Sequence, residues 1–209
     1  MIDAHLLNTL AAKAAKDSIS KGYNPDLGLY FWLTICAAEV GEAIDAYRCG
    51  RMTNMPDFSR AEEAIKTICK SKAAYTTLLA TIYRDKVKDS VDDELADVAI
   101  YILSIAGHNN VDFLLASRFN KSYYESALKD KGFVHNCGDL MSAIIDARHK
   151  DKDDDLSTSF IGIIDYVEEL MSKTTGGSLL FWIKRKMEYN KTRPYLHGRK
   201  NDTQNPGCI

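Results

Sequence analysis

An all-α fold follows from three properties of the 209-residue chain. Apolar residues recur at helical spacing along nearly its whole length. No stretch alternates apolar and polar residues as a half-buried strand does. Four prolines and twelve glycines are few beside the abundant Ala, Leu, Ile, Lys and Glu. The expectation is a bundle of about six to eight helices.

The first helix is expected over 2–20 and is ended by Gly22-Tyr-Asn-Pro. A second runs from about Leu27 to Cys49 with Leu33, Ala37, Val40 and Ile44 on its buried face, and stops before a 50–57 loop containing Pro56. A third spans 58–86, with mixed charges and no evident chemistry. Ser90 followed by Asp93 forms a capping box, which opens a helix over 90–106. There Leu95, Val98, Ala99, Ile102, Leu103 and Ala106 make one apolar stripe, and Gly107 with Asn109 and Asn110 closes it. Further helices are expected over 111–129, 138–149, 157–174 and 178–192, and the tail from Arg193-Pro194 is polar.

Composition narrows the function classes. Apolar residues at 45% and charged residues at 27% describe an ordinary globular chain, and a net charge of −2 gives no electrostatic reason to expect nucleic acid. The longest mostly apolar run, Leu29 to Ala38, is too short to span a bilayer. Five cysteines without a C-x-x-C pair indicate neither a disulfide framework nor a zinc ribbon. The opening MIDAHLLNTLAAKAAK is charged too early for a signal peptide, so a reduced, cytoplasmic compartment is expected.

The chemistry concentrates in two carboxylate pairs. Glu39 and Glu42 interrupt one strongly apolar helix, and Glu94 and Asp97 interrupt another. Residues three apart share a helix face, so each pair projects two carboxylates side by side. Two packed helices can bring all four together, where they repel unless protonated or joined by a cation. Oxygen-only ligation suits a hard ion, with Mg²⁺ the natural candidate and Mn²⁺ a substitute. A lone pair at this spacing is more often a solvated face; the apolar surroundings argue for a site.

The segments AAEVGEAIDAYRCGR, KDSVDDELADVAIYILSIAGHNNVD and KMEYNKTRPYLHGRK together resemble the MazG-like, all-α nucleoside triphosphate pyrophosphohydrolase superfamily, which includes dimeric dUTPases and phosphoribosyl-ATP pyrophosphatases. The resemblance covers residues 20–50, 88–121 and 184–200. It implies that Glu39, Glu42, Glu94 and Asp97 bind Mg²⁺ and serve catalysis. It also implies hydrolysis of a (d)NTP to the monophosphate and diphosphate. The family's K-M-x-x-N motif stands intact as Lys186-Met-Glu-Tyr-Asn190, whereas the counterpart in the first half has Ala116 in place of the lysine and keeps Asn120.

That asymmetry bears on domain organisation. Gly107–Ser122 aligns weakly on Gly177–Thr192, and Glu39–Arg48 on Asp139–Arg148, with Asp139 and Ser142 opposite Glu39 and Glu42. Ile164 and Val167 stand opposite Glu94 and Asp97, or Asp165 and Glu168 after a one-residue shift. Residues 1–130 then form the half carrying the metal site. Residues 131–209 form either a second half, completing a pseudo-dimer, or an insertion followed by a substrate-binding segment; the two parts make one compact domain or two. Phosphate contacts are expected from Lys186, Asn190, Lys191 and Arg193.

Among the other candidates, Tyr101 lies one turn beyond Asp97 and is expected to line the site. Trp32 and Tyr23 either stack on a base or belong to the core. Arg48 and Arg51 are either phosphate ligands or cations at a helix C-terminus. His108 and His197 read as loop histidines, and Asp151–Asp155 as a solvated linker lacking the EF-hand glycine. The expected ligand is a small nucleoside triphosphate, with no nucleic-acid or membrane partner. Activity would be base-restricted, as in dUTPases, or broad; a decayed helical binding protein is the non-enzymatic alternative. The chain would act as a homodimer or as a self-sufficient pseudo-dimer.

Overall fold

The computed structural model describes residues 2–24, 27–115, 131–150 and 153–193. Among them are eight α-helices and no strand, so the expected all-α bundle is what forms. In chain order these are α1 (Ala4–Ile19), α2 (Gly28–Arg48), α3 (Met55–Ile68), α4 (Lys72–Lys86), α5 (Val91–His108), α6 (Phe133–Asp146), α7 (Asp153–Thr175) and α8 (Leu179–Thr192). Ala147–His149 add a 3₁₀ turn after α6.

Local chemistry sets the boundaries. Asp3, Asn54, Ser71 and Ser90 each accept a backbone N–H of the following helix with the side chain, which satisfies a donor left over at a helix start. The Ser71 cap explains why the single helix expected over 58–86 is two. Ser71 is extended in backbone and starts α4 in the middle of the run, after α3 has ended at Ile68. Pro56 sits in the first turn of α3 rather than in a loop, at a position where its missing N–H costs nothing. Helix α6 begins at Phe133, five residues before the expected 138, because Phe133 is buried and stacks on Tyr47 at 4.5 Å. The helix expected over 111–129 falls mainly outside the described residues.

Helix α5 is the axis of the bundle. Helices α1, α2, α7 and α8 all pack against it, α6 packs on α2 and α7, and α4 packs on α8 and on α3, whose Phe58 and Glu62 also reach α8. The expected stripe of Leu95, Val98, Ala99, Ile102, Leu103 and Ala106 is buried, and so are Ala96, Ser104 and Ile105 on the other sides. A helix enclosed all round has no free polar face. On α2, Leu33 and Val40 are buried as expected, Ala37 and Ile44 are only half-buried, and Cys36, Ala43 and Ala46 are buried as well, since α5 and α6 cover different sides. The Cys36 thiol donates to the Val98 carbonyl at 3.5 Å across the α2–α5 contact.

The tightest approach is α1 against α5. A Cβ on Gly107 would lie 2.4 Å from the Ala11 carbonyl oxygen and 2.7 Å from Ala15 Cβ. Gly107 is therefore an interhelical contact inside α5, not its terminator; α5 ends at His108 with Asn109 as its C-cap, and Asn110 follows with φ 53°. The buried apolar residues from Ile2 through Phe113 and from Phe133 through Met187 form one continuous cluster. No helix among the described residues is long and apolar enough to cross a membrane.

Candidate metal centre

The first turns of α5 carry an unusual load of buried charge. Asp92, Asp93 and Glu94 are each at most 4% exposed. Burying a carboxylate is costly unless it is paired or neutralised, so each needs a partner. Asp92 accepts from the Thr175 hydroxyl at 2.6 Å and from the Thr53 N–H at 3.3 Å, which ties α5 to the end of α7 and to the loop before α3. Asp93 accepts from the Tyr83 hydroxyl and from Lys186 Nζ, both at 2.6 Å on Oδ1, and from the Asp89 N–H at 2.9 Å on Oδ2. The expected capping box is thus half present. Ser90 Oγ accepts the Asp93 N–H, but the Asp93 side chain reaches Asp89, not Ser90.

One turn further on, Asp97 meets the same ammonium, with Lys186 Nζ 2.6 Å from its Oδ2. Carboxylate oxygens of Glu39, Glu94 and Asp97 lie within 4.8 Å of one another, as do those of Asp89, Asp93 and Glu94. The coordinating oxygens of a six-coordinate ion at about 2.1 Å stand about 3 to 4 Å apart. The first group fits a divalent cation after a small closure, and its donors are all hard oxygens. Glu42, the fourth expected ligand, is exposed and stands outside both groups. It lines an open cleft of about 480 Å³ together with Glu94, Asp45, Asp89 and Arg51.

The electrostatics record uncompensated charge. Burial first, then Asp97 and Glu42, pushes Glu39 up to about 8. Burial, then Asp97 and Asp93, does the same for Glu94, to about 8. Asp97 rises only to about 6, because Lys186 opposes the effect of burial. Burial works against the Lys186 charge, but Asp97 and Asp93 outweigh it and hold the ammonium above the usual lysine range. Tyr101 is half-buried, and burial together with Glu39 and Asp97 raises its hydroxyl.

The other expected residues fall in different places. Asn190 lies one turn beyond Lys186 on the same face of α8, and its Oδ1 is buried without a hydrogen-bond partner among the described residues. The Arg193 charge is felt by Asp97 and Tyr101. Lys191 is exposed and pairs with Glu188 at 2.7 Å. Arg51 pairs with Asp45 at 2.9 Å on the rim of the cleft. Trp32 is 9% exposed, stacks on Tyr23 at 4.0 Å and donates to the Asn24 carbonyl. The other face of Tyr23 meets His108, also at 4.0 Å. Asn120, Ala116 and His197 lie outside the described residues.

In the second segment, Ile164 and Val167 are core residues, and Asp139 faces Lys131 and His135 at the surface. Neither Asp139, Asp165 nor Glu168 joins an acidic group among the described residues. Two further participants in the site and one buried ion pair that anchors the neighbouring Arg185 were hidden in the sequence. Asp93 is four residues before Asp97 and so on its face, but its place at a helix start accounts for a carboxylate without any site. Tyr83 is fully buried in a run of no evident chemistry. Glu62 falls at helical spacing between buried Phe58 and Ile65, and accepts from Arg185 and from Tyr75.

No family model, curated protein or solved structure matches the chain.

Proposed function

We propose that the chain is a Mg²⁺-dependent nucleoside triphosphate pyrophosphohydrolase of MazG-like type, converting a (d)NTP and water to the monophosphate and diphosphate. The observation that carries this reading is the junction of Lys186 with the acidic group: a cation from the K-M-x-x-N segment lies 2.6 Å from Asp97, beside Glu39 and Glu94. Two motifs far apart in sequence, each with its own expected role toward a triphosphate, meet at one place. Asn190 Oδ1, on the same face of α8, adds a buried polar group that has no hydrogen-bond partner among the described residues.

Glu39, Glu94 and Asp97 would hold the ion, and Glu42 stands at the mouth of the cleft. A bound divalent cation would supply positive charge to the phosphate oxygens. Lys186 and Arg193 offset the negative charge that grows on the departing diphosphate. One of these carboxylates would also orient the attacking water. Packing of α6 on α2 and of α7 on α5 accords with two halves arranged in one chain.

The test is a panel of all common NTPs and dNTPs with Mg²⁺, scoring diphosphate separately from orthophosphate. Diphosphate release that falls by about 10³-fold in Glu39→Gln and Asp97→Asn is the expected result. A single preferred base would assign the dUTPase-like form. Orthophosphate alone would move the cleavage to another bond, and silence across the panel would leave the chain a binding protein.

A further inference from the structure

Lys186 already occupies ground that a divalent ion would claim. Its ammonium is bonded at 2.6 Å to both Asp93 and Asp97, and the residue is 2% exposed. The two acids are held very differently. Asp93 is fixed through both oxygens, by the Tyr83 hydroxyl on one and the Asp89 N–H on the other. Asp97 belongs to the group with Glu39 and Glu94, and its side chain is 18% exposed. An ion drawn to Glu39, Glu94 and Asp97 brings a second positive charge to within a few ångströms of the ammonium, and the two repel.

We infer that Lys186 is a resident counter-cation of the acidic site, exchanged at Asp97 for an incoming divalent ion and retained by Asp93, which acts as its positioning residue. The inference rests on the metal-binding reading above and adds an order of events to it. Before the ion arrives, Lys186 offsets the repulsion among carboxylates that the core would otherwise bury unpaired. Once the ion holds Asp97, the ammonium keeps its bond to Asp93 and has donors to spare, because an ammonium carries three N–H groups and no acceptor. Those donors then serve a phosphate oxygen. The fixed Asp93 prevents the freed side chain from leaving the site.

The experiment is Mn²⁺ binding without nucleotide, followed by electron paramagnetic resonance, on the full unaltered chain, Lys186→Met and Lys184→Met. Lys184 is exposed on the same helix, so its loss removes equal charge away from the site. Lys186→Met is expected to bind Mn²⁺ about tenfold tighter or more, and Lys184→Met within about twofold of the unaltered chain. Equal affinity for Lys186→Met and the unaltered chain overturns the inference and leaves the metal site standing. Absence of binding in all three overturns the metal reading itself. A second measurement needs no loss of the lysine. Mg²⁺ is titrated while the lysine Nζ resonances are followed by NMR, with the Lys186 signal assigned through Lys186→Arg. A saturable shift of that signal in step with Mg²⁺ binding supports the exchange, and a signal that stays fixed while Mg²⁺ binds overturns it.

Discussion

Glu39 and Glu94 titrate near 8 because both are buried among other acids, and this links the fold to pH. A carboxyl group whose folded pKa is raised binds its proton more tightly in the folded chain. Its contribution to stability is complete below the unfolded value of 4.5 and is lost as pH rises through about 8. The metal-free chain should therefore melt progressively lower between pH 5 and 8.5 in the presence of a chelator. Excess Mg²⁺ should remove most of that decline, since an ion that binds only the folded state stabilises it. Melting curves that run parallel across this range, with and without Mg²⁺, would contradict the prediction. The three carboxylates of the group were legible in the sequence because an acid within an apolar run demands a reason. Asp93 was not, because a helix start already supplies one. Tyr83 offers a second check at this scale. Its hydroxyl donates to a buried carboxylate at 2.6 Å, so Tyr83→Phe should cost about 2 kcal/mol in urea unfolding.

Helix existence was written in the apolar period, but helix ends and neighbours were not. The stripe on α5 identifies one buried face, and only the packing of four helices around α5 reveals that the remaining faces are buried as well. A helix-forming run with no glycine or proline, such as 58–86, hides an internal start when a serine happens to take the extended backbone of a cap. Gly107 was read as a stop signal, whereas its role is lateral contact with α1. Gly107→Ala should therefore lose about 2 kcal/mol or more, because neither the Ala11 backbone nor the Ala15 methyl can step aside. Gly138 in α6 has nothing within 4 Å of its missing Cβ, and Gly138→Ala should gain about 0.5 to 1 kcal/mol. Chemical denaturation of the two variants side by side distinguishes contact from helix propensity.

The apolar core runs without a break across the 130/131 boundary that the motifs suggest. The chain also places one tryptophan on each side of it, Trp32 on α2 and Trp182 on α8, both buried. Single-tryptophan variants Trp32→Phe and Trp182→Phe should each unfold with a fluorescence midpoint that coincides with the loss of far-ultraviolet circular dichroism in the same variant. A midpoint separated from that loss in either variant would mark two independently folding units. The boundary was visible as a change of motif content, but shared burial cannot be read from periodicity, which records how a helix faces and not what it faces.

Arg185 and Lys186 follow one another on α8, yet the first reaches Glu62 on α3 and the second Asp93 and Asp97 on α5. Successive residues on a helix point about 100° apart, so the two ion pairs fix the angle of α8 about its own axis as two keys fix a shaft in a hub. Sliding the helix by one turn would break both ion pairs, and inserting one residue ahead of Arg185 would turn Arg185 toward the acids of α5 and Lys186 into the direction of the buried Met187. Helix α8 can therefore seat in a single register, and the distance from Lys186 to the carboxylates of α5 is set during folding, before any ligand is encountered.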